Sequence, residues 1–297
     1  MFTELITCHG NHVSTIAFSP INNEVFAVAG GNGNLELWNT EGKQIASLRG
    51  HIHDINSLAY SADGEFLLSS AEDKTIKLWF IKKEAKKIRV YEELKSEQKV
   101  AKNVAFFSDF NNFFLVGDRH SLTLFDYSFN QIAETKCEKL AHTIGFGPNG
   151  KLAISYSSGI DSLIKLYNVS DSKSIEQIAS FWVESTTVQV LGFSRDGKVL
   201  AAGSTDGIVR LRDLQSHQMT KCKGHADWIK SISFSPDSNI LATGSDDRTA
   251  RLWDLHGNQI AKLGEYSDQI NTVSFNKNGN VLAIGSNNGI VRLLRQT

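Results

Sequence analysis

The chain is written as one sequence unit that recurs seven times, and this repeat constrains the fold more than any other feature. Each unit contains a short stretch that alternates apolar and polar residues and ends in an aromatic: STIAF (14–18), NSLAY (56–60), KNVAF (102–106), HTIGF (142–146), QVLGF (189–193), KSISF (230–234) and NTVSF (271–275). Alternation with a period of two predicts a strand with two distinct faces. The chain is therefore predicted to be a repeat protein built from a small β-unit.

Turns and further strands complete each unit. A turn follows most of the aromatics, and all three prolines lie two residues after one, where a fixed φ suits a turn: Pro20, Pro148 and Pro236. Next come an apolar strand such as NILATGS, a tight turn such as TDGI or DDRT, and a strand such as ARLW. A further strand such as KQIASL (43–48) or NQIAKL (258–263) closes most units. Each unit is predicted to form four antiparallel strands.

Seven such units predict an all-β fold, the seven-bladed β-propeller. The third strands end at residues 38, 79, 125, 167, 212, 253 and 294. The last unit lacks its fourth strand, whereas FTELITC at the start of the chain matches one, so we expect residues 2–8 to complete the last blade and close the ring. We expect a single domain over 1–297, with repeats at approximately 9–48, 49–94, 97–136, 137–181, 184–222, 224–263 and 264–297.

The repeat resembles the WD40 repeat. The pattern GH…SPDG…LATGS.D.T..LWD is matched strongly around 50–79 and 224–253 and less closely in the other units. In that family a His, a Ser or Thr, an Asp and a Trp form one hydrogen-bonded set within a blade. The resemblance implies two complete sets in this chain: His51, Ser69, Asp73 and Trp79, and His225, Thr243, Asp247 and Trp253. Such a set is expected to be structural, because a crowded indole N–H and a shielded carboxylate both need partners.

The fifth unit departs from this pattern in a suggestive way. Glu184 stands in place of the His and Arg212 in place of the Trp, while Asp206 is retained. Two simultaneous changes that introduce opposite charges predict a compensating Glu184–Arg212 ion pair, with Asp206 as a second carboxylate. The alternative is a loosened blade in which both groups are solvated.

Composition narrows the classes of function. Lys and Arg number 31 against 32 Asp and Glu, for a net charge of −1, which argues against a nucleic-acid or anionic-membrane partner. No apolar run reaches the roughly 20 residues of a membrane span. Three widely spaced cysteines indicate a reducing compartment, and the histidines lack metal-ligand spacing. We expect a monomeric cytoplasmic propeller without metal or cofactor.

Two classes of function remain. The first is a non-catalytic interaction module that binds a protein or peptide on its face, either alone or as the sensor or assembly domain of a larger protein. The alternative is a propeller enzyme of the hydrolase or lactonase type, with its site at the central channel. The predicted strand entrances supply one base that titrates near neutrality and no acid, which is a poor set for catalysis: Ser14, Asn56, Lys102, His142, Gln189, Lys230 and Asn271. We therefore expect no enzyme.

The resemblance also implies where a partner would dock. WD40 partners commonly bind the rim formed near the start of each first strand and the tight turn. The matching residues are Trp228, Lys230 and Asp246 in the sixth unit, Asp54, Asn56 and Glu72 in the second, and His12 in the first. Trp228 is the only aromatic at its position in the seven units. It either anchors a partner or folds onto its own blade and shields His225.

Overall fold

The computed structural model describes residues 2–8, 12–81, 88–95, 103–106, 113–137, 139–157, 159–169, 174–184 and 187–296. Within these ranges the chain forms seven sheets, and each sheet has four antiparallel strands. The predicted repeat limits at residues 9, 97 and 297, and the predicted strand entrance at Lys102, lie outside the described residues.

The seven sheets follow one another along the chain as blades one to seven. From inner to outer strand, blade one is β2 (Val13–Phe18), β3 (Val25–Gly30), β4 (Leu35–Asn39) and β5 (Gln44–Leu48). Blade two is β6 (Ile55–Tyr60), β7 (Phe66–Ala71), β8 (Thr75–Ile81) and β9 (Ile88–Lys95). Blade three is β10 (Asn103–Phe106), β11 (Phe113–Gly117), β12 (Ser121–Asp126) and β13 (Gln131–Lys136).

The remaining blades repeat this order. Blade four is β14 (Thr143–Phe146), β15 (Lys151–Ser157), β16 (Ser162–Val169) and β17 (Ile175–Val183). Blade five is β18 (Val188–Phe193), β19 (Val199–Ser204), β20 (Ile208–Asp213) and β21 (Met219–Lys223). Blade six is β22 (Ile229–Phe234), β23 (Ile240–Ser245), β24 (Ala250–Asp254) and β25 (Gln259–Leu263). Blade seven is β26 (Ile270–Phe275), β27 (Val281–Ser286), β28 (Ile290–Gln296) and β1 (Phe2–Cys8).

The blades close into a ring through the N-terminal strand. Each inner strand contacts the inner strands of the blades on both sides, and β26 of blade seven contacts β2 of blade one. Strand β1 pairs antiparallel with β28 from Phe2 opposite Gln296 to Cys8 opposite Ile290. The predicted seven-bladed propeller, with residues 2–8 completing the last blade, is confirmed.

The hydrophobic core lies between the blades. Trp79 of blade two is 1% exposed and packs in one cluster with Leu35 and Leu48 of blade one. Trp253 of blade six, also 1% exposed, packs with Val209 and Cys222 of blade five. In both blades the tryptophan of the third strand therefore faces the preceding blade. Such large, fully buried side chains contribute several kcal/mol each to stability.

Two tight turns carry a backbone conformation that usually favours glycine. Lys74 and Arg248 have φ of +66° and +64°, whereas the equivalent turns of blades five and seven use glycine. A positive φ costs a residue with a Cβ roughly 1–2 kcal/mol. In each turn the aspartate before this residue accepts a hydrogen bond from the backbone N–H of the threonine after it. The distance is 2.9 Å both from Thr75 to Asp73 and from Thr249 to Asp247. The aspartate thus holds a turn that its sequence alone would not favour.

Candidate functional site

In blade two, four side chains form a chain of hydrogen bonds from the core to the tight turn. Trp79 Nε1–H donates to Ser69 Oγ at 2.8 Å, and Ser69 Oγ lies 2.7 Å from Nε2 of His51. Because an indole can only donate, the serine proton is free for His51 Nε2. Nδ1–H of His51 then donates to Asp73 at 2.9 Å, and the hydroxyl of Thr75 donates to the same carboxylate at 2.6 Å.

Blade six repeats this arrangement. Trp253 Nε1–H donates to Thr243 Oγ1 at 2.9 Å, and that oxygen lies 2.7 Å from Nε2 of His225. Nδ1 of His225 lies 2.8 Å from the carboxylate of Asp247, which also accepts the hydroxyl of Thr249 at 2.7 Å. The structure therefore brings all four members of each implied set together.

Burial and hydrogen bonding set the charges in the blade-six network. Burial alone would raise the pKa of Asp247, but hydrogen bonds from His225 and Thr249 outweigh it and hold this pKa well below its ordinary value. Burial lowers the pKa of His225 despite the attraction of the carboxylate. The pair is therefore a neutral imidazole that donates to an ionised aspartate.

These shifts predict that the protein loses stability on acidification. The pKa of His225 is lowered from 6.5 and that of Asp247 from 3.8, so the unfolded chain takes up protons at both groups before the folded protein does. The free energy of unfolding is expected to fall as the pH drops below 6.5 and to fall again below 3.8. Each group contributes at most about 1.4 kcal/mol per pH unit.

Urea unfolding at pH 7.5, 6, 5 and 4 measures this loss. The variant His225→Gln is expected to be less stable at pH 7.5 but to lose less stability than the natural protein between pH 7.5 and 5. Equal losses in the two proteins over that interval would contradict the role assigned to His225.

The hydrogen-bonded sets of blades two and six are buried, which favours a structural role over a catalytic one. Ser69 and Thr243 are 0% exposed, and the two indoles are 1% exposed. A substrate cannot reach hydroxyls that already lie between a tryptophan N–H and an imidazole. A His, Ser or Thr and Asp combination could suggest a hydrolase triad, but here it joins the strands of a blade.

The predicted ion pair of blade five is wrong. Glu184 has a side chain that is 84% exposed and pairs with Lys221 on the outer strand at 3.0 Å. Asp206 instead binds Arg210 through two hydrogen bonds of 3.2 and 2.7 Å. The exposed Glu184 remains in water, where a charge needs no buried partner. Arg212 therefore has a different neighbour.

Arg212 packs against an aromatic ring of the preceding blade. Its Cζ lies 4.1 Å from the ring centroid of Phe181. On the outer strand of blade four, Phe181 holds the position that Cys222 holds in blade five, where the small thiol leaves room for Trp253. A larger ring on one blade thus accompanies the loss of an indole on the next, and a cation–π contact joins them.

Other blades replace members of the set by different contacts. In blade one, Val28 holds the hydroxyl position, and Trp38 Nε1–H donates instead to Glu36 at 2.9 Å. In blade three, Phe125 replaces the tryptophan and stacks on Phe114 with ring centroids 5.6 Å apart. A phenyl ring brings no N–H, so blade three needs no hydroxyl acceptor at this place.

Three of the rim residues form one cluster in blade six. Trp228 is 44% exposed, and the ammonium of Lys230 lies 5.2 Å from its ring centroid. Lys230 also pairs with Asp246 at 3.4 Å, and the backbone N–H of Asp246 donates to the carbonyl of Trp228 at 3.0 Å. Burial raises the pKa of Asp246, although Lys230 opposes this. The imidazole of His225 lies next to the indole of Trp253, and the two ring centroids are 6.0 Å apart.

The other rim residues lie in blades one and two. His12 Nε2 lies 3.5 Å from the carboxylate of Asp54, and both side chains are about one third exposed or more, at 34% and 41%. The backbone N–H of Glu72 donates to the carbonyl of Asp54 at 2.9 Å, as Asp246 does to Trp228. Asn56 lies in β6 and is partly buried. Blade seven separates this second group from the Trp228 cluster.

Within the described ranges, no group of three or more His, Cys, Asp or Glu side chains could hold a metal ion. The same residues contain no helix that is long and apolar enough to cross a membrane.

Comparison with known proteins identifies the repeat. The family described as WD domain, G-beta repeat matches residues 42–79, 176–213, 216–254 and 257–294, which together make up more than half of the chain. Each matched segment begins at the outer strand of one blade and ends at the third strand of the next. A single sequence repeat therefore connects two blades.

Three relatives show the range of proteins that carry similar repeats. Human apoptotic protease-activating factor 1 is 28% identical over 231 residues, which are 75% of this chain and 17% of that protein. MST50-interacting protein 11 of Pyricularia oryzae is 25% identical over 212 residues, 69% of this chain and 66% of that protein. A coronin-like protein of Saccharomyces cerevisiae is 32% identical over 82 residues, 27% of this chain and 12% of that protein. With more than half of its length matched and seven blades in its ring, this chain belongs to the WD40 repeat family.

Proposed function

We propose that this chain is a non-catalytic interaction module whose protein or peptide partner docks on the rim around Trp228. The observation that carries the proposal is a half-exposed indole whose face is covered by the ammonium of Lys230 at 5.2 Å. Tryptophan is enriched among the residues that dominate binding energy at interfaces. The other repeats do not use an aromatic at this position, so the fold itself does not require Trp228.

The charges around Trp228 favour a partner of mixed character. Lys230 and Asp246 lie beside the indole, and the exposed Asp227 precedes it. An apolar partner group would bury the ring. Lys230 already pairs with Asp246, whose side chain is 9% exposed, so the carboxylate of Asp227 is the accessible charge beside the indole. The rim in blade two adds Asp54 and Glu72, so an extended partner that reaches across blades seven and one would meet further carboxylates. Basic residues flanking an apolar anchor fit this surface best.

Polar side chains at the strand entrances support a structural role for the central channel. The hydroxyl of Ser14 lies within hydrogen-bond distance of the carbonyls of Ala29 in its own blade and Ile55 in the next, and its one proton can be donated to either. The amide of Asn271 donates to the carbonyl of Val13 at 2.9 Å. These groups join neighbouring blades, which favours a scaffold over the alternative of a propeller enzyme with its site in the channel.

The names of the relatives support the same class of function. MST50-interacting protein 11 is named for an interaction, and apoptotic protease-activating factor 1 for an action on a protease. This chain spans less than a fifth of the apoptotic factor, so a role as the sensor or assembly domain of a larger protein is part of the proposal. We also infer a monomeric, cytoplasmic propeller, since the three widely spaced cysteines of the sequence favour a reducing compartment.

The test compares two exposed tryptophans. Natural protein, Trp228→Ala and Trp182→Ala serve in parallel to capture partners from native lysate, followed by mass spectrometry. Trp182 is 57% exposed on the outer strand of blade four and is the matched control. Trp228→Ala is expected to weaken binding of the captured partner by at least about 2 kcal/mol, or roughly 30-fold in Kd, with little effect on folding.

The control decides between a rim site and a general loss of apolar surface. Trp182→Ala should capture the same partner as the natural protein and bind it with unchanged affinity. Unchanged affinity of the partner for Trp228→Ala would remove this rim from consideration and direct attention to the opposite face or the blade edges.

A further inference from the structure

A cleft of about 400 Å³ lies between blades four and five, away from the rim around Trp228. Its floor is apolar and includes Leu152 and Leu166 of blade four and Phe193 and Leu214 of blade five. Leu152 is fully buried and Leu166 is 7% exposed, so the floor belongs to the interblade core. This volume lies in the range of about 300–1,000 Å³ that is typical of ligand pockets.

The cleft lies where blades two and six place a tryptophan. At the equivalent place in blade five stands Arg212, which lines the cleft together with its ring partner Phe181. In blade six the indole of Trp253 is 1% exposed and fills the space against blade five. Because blade five lacks this indole, a hollow remains. The guanidinium of Arg212 and the ring of Phe181 line the hollow but do not fill it.

The polar groups of the cleft include two cations. Arg212 and Lys151 line it together with His217, and none of the described lining residues is a carboxylate. Within the described ranges, no ion pair engages Arg212; its guanidinium lies over Phe181. Lys151 Nζ donates to the carbonyl of Gly197 at 3.0 Å, which leaves two ammonium protons for another acceptor. The hollow therefore combines an apolar floor with unneutralised positive charge.

A second cleft of the same volume provides a contrast. It lies between blades seven and one, and most of its lining consists of asparagines with Glu24 and Arg295. Its lining contains a carboxylate as well as a cation and is mostly polar. Both clefts carry an exposed isoleucine, Ile178 at 56% in the blade-four cleft and Ile21 at 43% in the other. An apolar floor, an exposed isoleucine and unpaired cations occur together at the blade-four cleft.

We propose that this cleft is a second binding site, for a short peptide segment that places an apolar side chain next to Asp or Glu. The apolar side chain occupies the space left by the missing indole and covers Ile178. The carboxylate pairs with Arg212 and Lys151, where partial burial strengthens the attraction. The site is independent of the rim, since it lies between different blades and uses different residues.

A subtractive peptide selection tests this proposal. A random peptide display library is selected on the full chain carrying Trp228→Ala, so that rim binders are not enriched. It is then depleted on the same chain carrying Phe181→Cys, Ala202→Thr and Arg212→Trp in addition. This triple change copies Cys222, Thr243 and Trp253 of blade six, including the hydroxyl that accepts the indole N–H, and is expected to fill the cleft while preserving the fold. Circular dichroism and the thermal midpoint check the fold of each protein.

The surviving peptides are expected to share an apolar residue adjacent to Asp or Glu. Synthetic copies should bind the natural chain and lose at least tenfold in affinity for Arg212→Gln, which removes the charge without filling the space. Their affinity for Trp228→Ala should equal that for the natural chain. The proposal is overturned if no peptide survives the depletion, if the survivors carry no acidic residue, or if Arg212→Gln binds them as tightly as the natural chain does.

Discussion

Removal of residues 1–8 is expected to abolish cooperative unfolding and to make the protein aggregate. Strand β1 forms the outer strand of blade seven, and all seven of its residues pair with β28. Without β1 the backbone groups on one edge of β28 lose their partners, and an unpaired edge invites pairing with another chain. The loss also removes the strand that ties the first blade to the last, which then remain joined through packing such as that of β2 on β26 and β27.

A permuted variant provides the control. Phe2 lies opposite Gln296, so residues 2–8 attached behind residue 297 through a short turn would form a hairpin with β28 and restore the blade. This variant is expected to unfold cooperatively with a midpoint close to that of the natural chain. Size-exclusion chromatography and thermal unfolding distinguish the three proteins. A truncated protein that stays monomeric with an unchanged midpoint would refute closure by β1.

The substitution Asp247→Ala is expected to cost about 3–5 kcal/mol of unfolding free energy. The Asp247 side chain is 6% exposed and accepts hydrogen bonds from His225, Thr249 and the backbone N–H of Ala226. Its removal leaves several buried donors without an acceptor. It also releases the turn in which Arg248 has φ of +64°.

Asp254→Ala in the same blade is the matched control. Asp254 accepts hydrogen bonds only in an exposed turn, from the backbone of His256 and from Asn258. Its loss is expected to cost roughly 1 kcal/mol, as for other exposed turn or cap residues. Urea unfolding at pH 7.5 measures both variants. Equal losses for Asp247→Ala and Asp254→Ala would show that the network adds nothing beyond an ordinary turn.

The sequence by itself determined the fold and the members of the complete networks. Strand alternation, turn residues and the spacing of the repeats depend on local chemistry that recurs seven times, so each unit supports the interpretation of the next. The same regularity predicted that β1 completes blade seven. The networks of blades two and six could be predicted because each keeps all four residue types at the positions that the family uses.

The tertiary structure alone decided the partners of residues that break the pattern. Glu184 and Arg212 occupy the positions of the His and the Trp in the complete networks. Glu184 nevertheless forms an ion pair with Lys221, and Arg212 packs over the ring of Phe181. Phe181 lies on the preceding blade at the same separation from Arg212 as Leu48 from Trp79 and Cys222 from Trp253, so the repeat makes the two positions neighbours but does not predict a cation–π contact between them. The grouping of Trp228 with Lys230 likewise depends on the directions of two side chains on one rim. A repeat determines which backbone positions become neighbours, whereas side-chain direction and exposure in the packed ring decide which of those neighbours bind one another.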